Sequence, residues 1–316
     1  MDVADAKGLV KPLVTATLPL ENSATRLANP LDRSRMHFVY IRHRHASSAR
    51  AKGCPMASNF THAIVRRPSH SVIDGIADFT NKGKPVYQKA MEQHEQYVEA
   101  LRQAGLEVTV LPALEDYPDS VFVEDAAVIT PSGAISDRPG APTRREEAAL
   151  MLPTLHEFFS SDQVKVMTEP ATLEGGDVMM VGDHYYVGRS RRTNDEGFRQ
   201  FSGFLAEWGY TAEQVPVEHI LHLKTGGTYV GDGNLLVSGE FKTKPAYRCG
   251  QFNVFEVPDE EAYGADCVRI NDYVVMAKGY PRVRARLEAW GYKIIEVEMT
   301  EFEKIDGSIT CLSLRW

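Results

Sequence analysis

From Phe60 onward, the chain alternates between segments with a strand pattern and segments with a helix pattern. "FTHAIVRRP" predicts a strand that Pro68 ends. In "PVYQKAMEQHEQYVEALRQAG" buried-type residues recur at helical spacing, and Gly105 is expected to end the helix. The positions at that spacing are Val86, Ala90, His94, Tyr97, Val98 and Leu101. "LEVTVLP" predicts the next strand, and this strand–helix–strand order indicates an α/β architecture.

One sequence pattern, an acidic, amide or glycine residue followed by apolar strand residues and in most cases a glycine turn, then repeats along the chain. It occurs in "EDAAVITPSGAISD", "GGDVMMVGDHYYVG", "DGNLLVSGEFK" and "NDYVVMAKGY", and helix-like segments follow, such as "TRREEAALMLPTLHEFF" and "RTNDEGFRQFSGFLAEWG". With the "HAIV" unit, this makes five repeats about 40 to 55 residues apart, a spacing typical of propellers and arrays. An acidic or amide residue recurs where each strand begins. If the units circle an axis, these residues would gather at one mouth; alternatively, Asp and Asn are simply turn formers.

The N-terminal region differs from the rest of the chain in composition and in periodicity. "ENSATRLANPLDRSRMHFVYIRHRHASSARAKGCPMASN" is rich in Arg, Ser and Ala, has Glu21 and Asp32 as its acids, and shows no sustained period. We therefore interpret residues 1–58 as a disordered extension and residues 59–316 as a single catalytic domain. A targeting segment is an alternative, since organelle transit peptides share this composition. Asp2 and Asp5 count against it, and a plain tail or an over-long gene model explains the region equally well.

Composition narrows the classes of function. The chain has 316 residues, 43% hydrophobic, and contains neither a run of about 18 apolar residues nor a secretion signal, so we expect a cytoplasmic protein. Cys54, Cys249, Cys267 and Cys311 are far apart, which disfavours a disulfide framework or a structural zinc site. The net charge of -8 disfavours nucleic acid and favours a cationic small molecule as the partner. The oligomeric state stays open, with a homodimer as one arrangement.

Carboxylates concentrate in "PDSVFVED", which contains Asp119, Glu124 and Asp125. Three carboxylates this close repel one another, and a bound metal or organic cation would relieve the repulsion. The nearest downstream histidine is His156, so a dedicated metal site is the weaker interpretation. The sequence favours an organic cation.

Further candidates lie in later segments. Glu174 precedes two glycines in "TLEGGDVM", and His222 ends an apolar segment in "LHLKTGGTYVGDGN", where we predict a flexible turn at Gly226 and Gly227. A histidine in such a place can equally be a structural group. Cys311 in "DGSITCLSLRW" is either a core cysteine on a terminal strand or a reactive thiol.

Two arginines stand at unusual positions. Arg144 and Arg192 open helix-like segments, where the helix dipole disfavours a cation. Their placement suggests that they hold a carboxylate.

These motifs carry a resemblance to a known family. "HAIVRRP", "GKPVYQKAMEQH", "PDSVFVED", "RPGAPTRREE", "EGGDVMMVGDHYYVG", "RTNDEG", "LHLKTG", "NLLVSGEF", "AKGYPR", "GYKIIEVE" and "KIDGSITCLSLRW" run in order through residues 60–316. The sequence resembles the dimethylarginine dimethylaminohydrolases, guanidino-group-modifying enzymes with the pentein fold, a five-bladed α/β propeller of ββαβ units. It departs from them in its extension, in Gly175, in Thr310 and in the glycine-rich "GGTYVGDG".

The resemblance implies a reaction and its main groups. Dimethyl- or monomethyl-L-arginine and water would give citrulline and dimethylamine or methylamine. Cys311 would attack the guanidinium carbon and form a covalent thiouronium intermediate. His222 would protonate the leaving amine and then activate water, while Glu174 orients the imidazole and keeps it cationic. No metal or organic cofactor is needed.

The resemblance also implies how the substrate binds. Asp125, with Asp119 and Glu124, would hold the guanidinium and the α-amino group, and Arg144 and Arg192 would bind the α-carboxylate.

Two further residues and one loop complete the expected site. Ile76 and the backbone near Ile305 would line the pocket, and a mobile loop around "VIDGIADF" would close over it. The alternatives are an arginine deiminase, which accepts unmethylated arginine, and a non-catalytic pentein that binds without turnover. Deiminases usually carry an extra helical domain, and a non-catalytic pentein lacks the nucleophile.

Overall fold

The computed structural model describes residues 59–247 and 250–316. The predicted extension, residues 1–58, lies outside the described residues, so the domain boundary stays a prediction. The helices are α1 Tyr87–Gln103, α2 Arg145–Phe158, α3 Asp195–Glu207, the single turn α4 Leu223–Gly226, and α5 Pro281–Ala289. No helix in this part of the chain is long and apolar enough to cross a membrane.

Fifteen strands form five sheets of three strands each in the described part of the chain. They are β1 His62–Arg66, β2 Glu107–Leu111, β3 Ala127–Thr130, β4 Gly133–Ser136, β5 Val164–Val166, β6 Val178–Val181, β7 His184–Arg189, β8 Thr211–Pro216, β9 Gly227–Gly231, β10 Asn234–Val237, β11 Asn253–Glu256, β12 Cys267–Ile270, β13 Tyr273–Ala277, β14 Lys293–Val297 and β15 Leu314–Arg315.

Every sheet follows the same plan. A central strand pairs antiparallel with one neighbour and parallel with the other, in the orders β15-β1-β2, β3-β4-β5, β6-β7-β8, β9-β10-β11 and β12-β13-β14. The parallel pair needs a crossover, which is an α-helix in four blades. In the fourth blade, 3₁₀ turns over residues 239–247 replace the helix. These blades confirm the predicted five-bladed α/β propeller.

Local sequence explains the elements. In α1 the side chains of Ala90, Tyr97 and Leu101 are buried, as their helical spacing predicts. Gly105 follows with φ of 99°, a conformation that glycine adopts without strain, and the chain turns into β2. Val86 is instead 48% exposed and precedes the helix.

The last residues of the chain complete the first blade. β15 pairs antiparallel with β1, with Ala63 opposite Arg315, and the Trp316 amide donates to the His62 carbonyl at 3.1 Å. The chain end is thus fixed by ladder bonds on a buried strand. Cys311 lies three residues before that strand, so the pairing of the strand also restrains the position of the thiol.

The strands β3, β6, β9, β12 and β15 enclose a central cavity, since residues from all five line it. A short helical turn precedes each of these inner strands, and polar groups sit on or beside these turns: Glu124, Asp125, Glu174, Asp177, His222, Asp266 and Cys311. The predicted gathering of polar groups therefore exists. In two repeats, however, the acidic or amide residue expected at the mouth does not lie there. Asp232 and Asn271 lie in hairpin turns with φ of 52° and 54°, so they are turn formers.

Candidate active site

A small cavity lies beside the turns that precede the inner strands. Its lining residues are Ile76, Asp119, Phe122, Asp125, Arg144, Glu174, Arg192, Leu221, His222, Ile305, Asp306, Gly307 and Cys311. Every predicted site residue except Glu124 is among them. Residues separated by up to 235 positions in the sequence thus share one cavity because the propeller brings its turns to a common mouth.

Cys311 is held on a 3₁₀ turn, Thr310–Leu312, directly before β15. The thiol is buried, with 7% of the residue exposed, and its Sγ lies 3.3 Å from Ser308 Oγ. Burial raises the pKa of Cys311 well above its ordinary value, and the carboxylates of Asp266, Glu124 and Asp125 raise it further. A neutral resting thiol follows from this environment.

His222 and Glu174 form a buried pair with their side-chain atoms Nε2 and Oε2 2.7 Å apart. Burial alone would lower the pKa of His222, but Asp125, Glu174 and Asp177 outweigh burial and raise it to about 9. Burial would raise the pKa of Glu174, yet the imidazolium lowers it to about 2. The imidazole is therefore a cation at neutral pH.

Glycine is required where the imidazole meets the preceding turn. A Cβ on Gly176 would lie 2.5 Å from His222 Nδ1, closer than atoms can pack. The predicted flexible turn at Gly226 and Gly227 is wrong, because Gly226 ends helix α4 and Gly227 begins β9. A Cβ on Gly226 would meet Phe241 at 2.6 Å, so close packing explains this glycine.

Asp177 is a positioning residue that sequence reasoning missed. Its fully buried carboxylate accepts hydrogen bonds from Ser190 Oγ at 2.6 Å, Thr193 Oγ1 at 2.7 Å and the Leu223 amide at 2.9 Å. It thereby connects the loop that bears Arg192 to the turn that follows His222. The sequence does contain a signal that could have identified Asp177: it lies immediately before β6 and three residues after Glu174.

Arg144 is the centre of a buried charge network. Its guanidinium donates to Asp125 Oδ2 at 2.6 Å, to Glu147 Oε2 at 2.9 Å, and to the Phe122 carbonyl at 3.0 Å. Asp125 Oδ1 also accepts from the Gly176 amide at 3.1 Å. All three guanidinium nitrogens of Arg144 are thus engaged within the protein, and one of them, Nη1, holds Asp125 in place.

Arg192 contacts the segment over residues 72–79, in which Ile76 lines the cavity. One of its nitrogens lies 3.0 Å from Asp78 Oδ2 and another 3.5 Å from Glu174 Oε1. Asp306 Oδ2 accepts from the amides of Asp78 and Phe79 at 2.6 and 2.9 Å. These bonds hold the segment around "VIDGIADF" beside the cavity, and its predicted mobility stays a prediction.

The two isoleucines predicted to line the pocket, Ile76 and Ile305, both line the small cavity. The Ile76 amide donates to Asp119 Oδ1 at 2.9 Å, and Gly75 stands so close that a Cβ there would be 3.0 Å from Ile305 Cδ1. Burial raises the pKa of Asp119, and Arg144 opposes this effect.

Glu124 does not share the small cavity, contrary to its predicted role beside Asp125. Its Oε1 lies 2.5 Å from Lys224 Nζ and 3.1 Å from an Arg315 nitrogen, and these three residues line the central cavity instead. Adjacent residues on a 3₁₀ turn point in different directions, so Glu124 and Asp125 face different cavities.

One group in the described part of the chain has metal-ligating side chains in proximity. Ligand atoms of Asp125, Glu174 and His222 lie within 4.8 Å of one another. Glu174 Oε2 pairs with the imidazole of His222, and Asp125 Oδ2 accepts from Arg144, so these carboxylate oxygens already have partners within the protein.

Comparison with known proteins agrees with this geometry. Residues 65–229 match the family model described as "N,N dimethylarginine dimethylhydrolase, eukaryotic". The chain is 45% identical over 257 residues to the N(G),N(G)-dimethylarginine dimethylaminohydrolase of Pseudomonas aeruginosa, covering 81% of this chain and 100% of that protein. It is 37% identical over 254 residues to the enzyme of the same name from Streptomyces coelicolor, covering 80% of this chain and 96% of that protein.

Solved structures give the same result. One is the structure of a cysteine-to-serine mutant of the Pseudomonas aeruginosa enzyme complexed with citrulline. It superposes on this chain with a TM-score of 0.79 at 45% sequence identity, and the match covers 81% of this chain and 99% of that one. An adduct of a dimethylarginine dimethylaminohydrolase with S-methyl-L-thiocitrulline has the same TM-score and identity and is covered completely. The propeller and its thiol-bearing cavity define a guanidino-group-modifying enzyme with the pentein fold. Within that class, the chain belongs to the dimethylarginine dimethylaminohydrolase family.

Proposed function

We propose that this protein hydrolyses Nω,Nω-dimethyl-L-arginine, and the monomethyl form, to L-citrulline and dimethylamine or methylamine. The observation that carries the proposal is the convergence of Cys311, His222, Glu174 and Asp125 on one small cavity. The relatives' names, and the citrulline and thiocitrulline in their structures, point to the same substrate class.

The carboxylates recognise the guanidinium group. Asp125 is held on both oxygens, by Arg144 and by the Gly176 amide, and is therefore pre-oriented when the substrate arrives. Asp119 lies on the same cavity and is a second acceptor for the substrate's N–H groups.

Cys311 and His222 carry the bond changes. The Cys311 sulfur attacks the guanidinium carbon, and the imidazolium gives its proton to the dimethylamine nitrogen as the C–N bond breaks. The neutral imidazole then takes a proton from water, the water oxygen bonds to carbon, and the C–S bond breaks to release citrulline. Glu174 supports the cationic form that the first step needs.

The arginines divide the recognition of the α-carboxylate. Arg192 has donors beyond those that reach Asp78 and Glu174, so it is the main carboxylate ligand. Arg144 has almost all of its donors engaged, so it contributes chiefly by fixing Asp125. Entry of the substrate requires the Asp78–Arg192 contact to open.

A cytoplasmic location is part of this proposal, because the reaction needs Cys311 as a free thiol and a reducing compartment preserves it.

Product analysis with three substrates tests the proposal. The protein is incubated in parallel with asymmetric dimethylarginine, monomethylarginine and arginine, and citrulline is measured. We expect citrulline from both methylated substrates and little from arginine. Arginine as the best substrate would establish the deiminase alternative, and no product from any of them would establish a non-catalytic pentein.

A further inference from the structure

A buried hydrogen-bonded chain leads away from the nucleophile. Ser308 Oγ lies 3.3 Å from Cys311 Sγ and also donates to Asp266 Oδ2. The other carboxylate oxygen of Asp266 accepts from the Thr310 amide at 3.0 Å. Cys311, Ser308 and Asp266 are all buried, with at most 7% of any of them exposed.

The thiol needs a proton acceptor that the site does not otherwise supply. In the proposed reaction, His222 must hold its proton to give it to the leaving amine, so it cannot also take the thiol proton. Within residues 59–247 and 250–316, the side chain at hydrogen-bonding distance from Sγ is that of Ser308. A hydroxyl can accept one proton while it donates another.

The direction of the bonds suits such a transfer. With Asp266 ionised, the Ser308 hydroxyl donates to the carboxylate, which leaves its lone pairs to accept from the thiol. After transfer, the order reverses: the Asp266 acid donates to Ser308, and the Ser308 hydroxyl donates to the thiolate. Both states keep every hydrogen bond in the chain.

We propose that Ser308 and Asp266 form a proton relay for the nucleophile. When the cationic substrate binds, the S–H bond of Cys311 breaks and its proton moves to Ser308 Oγ, while the Ser308 proton moves to Asp266 Oδ2. The products of the step are a thiolate and a neutral Asp266, so charge and protons balance. Ser308 is then a catalytic residue in contact with the reacting sulfur, and Asp266 a positioning residue that acts through it. This inference rests on the proposed function, since it concerns the attacking thiol.

The surroundings of Asp266 favour its role as acceptor. Burial raises the pKa of this carboxyl to about 6, and Glu124 raises it while Lys224 lowers it. Two other titratable groups adjoin it, Tyr263 and Cys267; burial raises the pKa of both, so they are neutral around pH 7. Asp266 is therefore ionised near neutral pH, yet accepts a proton more readily than an ordinary aspartate does.

Alkylation of Cys311 tests the relay without requiring turnover. The rate of modification by neutral iodoacetamide is followed against pH, and peptide masses assign the label to Cys311. In Ser308→Ala the thiolate loses a hydrogen-bond donor, so its titration midpoint should rise by about one pH unit, and the rate at pH 8 should fall about tenfold. Ser308→Thr restores the hydroxyl and should restore the midpoint.

Thr310→Val is the matched control. It removes a hydroxyl that contacts Asp266 Oδ2 at 3.2 Å but does not contact the sulfur. Its iodoacetamide midpoint should match that of the unsubstituted protein. An unshifted midpoint in Ser308→Ala overturns the proposal, and Ser308→Gly provides the same readout if the alanine variant does not fold.

A cationic reagent tests the acceptor. With 2-chloroacetamidine, alkylation of the unsubstituted protein should slow as pH falls through about 6, where Asp266 takes up a proton. Asp266→Asn should remove this acidic limb. A limb that persists unchanged in Asp266→Asn would show that the proton goes elsewhere. If the protein alkylates as expected yet makes no citrulline, the proposed function fails and the relay stands.

Discussion

Replacing Glu174 with glutamine should move the alkaline limit of activity to lower pH. The pKa of His222 is about 9 against an ordinary value of 6.5, a difference of 2.5 units or about 3 kcal/mol in favour of the imidazolium. Three carboxylates share this effect, those of Asp125, Asp177 and Glu174. Glu174 also binds the imidazole directly at 2.7 Å, so its neutralisation should lower the pKa of His222 by at least about one unit.

The same pKa difference makes a prediction for stability. Because the folded-state pKa of His222 is raised, its contribution is complete below about 6.5 and is lost as pH rises through about 9. Glu174→Gln should therefore lose free energy of unfolding at pH 6 and 7 relative to the unsubstituted protein. The two proteins should converge in stability above pH 9.

The assay is kcat/KM with dimethylarginine from pH 5 to 10.5, which reports the groups that titrate in the free enzyme, the state to which the raised pKa of His222 applies. We expect the unsubstituted protein to lose activity above about pH 9 and Glu174→Gln to lose it above about pH 8. Glu207→Gln is the control, since it removes one negative charge from an exposed ion pair with Lys165. An alkaline limb at the same pH in Glu174→Gln would refute the assignment of His222 as general acid.

Three further changes test other parts of the site. Arg192→Ala should raise KM about tenfold or more with a smaller fall in kcat, measured by citrulline kinetics, because it removes the main carboxylate ligand; a fall confined to kcat would contradict that role. Gly176→Ala should reduce kcat by at least about tenfold, because the added Cβ lies 2.5 Å from His222 Nδ1 and displaces the imidazole; unchanged kcat in a folded variant would contradict it. A protein that starts at residue 58 should retain kcat and KM, and failure to fold would show that residues 1–57 belong to the domain.

The fold could be predicted because each blade repeats a local pattern. Strand–turn–strand–helix units recur in the sequence, and glycines such as Gly105 mark the helix ends. The sequence pattern did not show which polar residue of each repeat lies at the mouth of the propeller. Asp232 and Asn271 share residue type with Asp177 and Asp266, and only the backbone distinguishes a hairpin turn from the turn before an inner strand.

Residue types and motif resemblance identified side chains that line one small cavity, but they did not identify the residues that contact and position those side chains. Asp125 and Glu124 are adjacent and chemically alike, so sequence alone cannot show that they face different cavities. Ser308 and Asp266 are 42 residues apart and meet only because the last two inner strands are neighbours in the ring. Such contacts depend on the closed propeller and leave no local pattern.

The most direct test of the account is the covalent state of Cys311 during turnover. The protein is mixed with excess dimethylarginine, quenched in acid within milliseconds, digested and analysed by peptide mass spectrometry. We predict a mass increase on the Cys311 peptide equal to the mass of neutral dimethylarginine less that of dimethylamine, which disappears when the substrate is exhausted and is absent in Cys311→Ser. Citrulline formation by Cys311→Ser at the unsubstituted rate, or an adduct on another residue, would contradict the account.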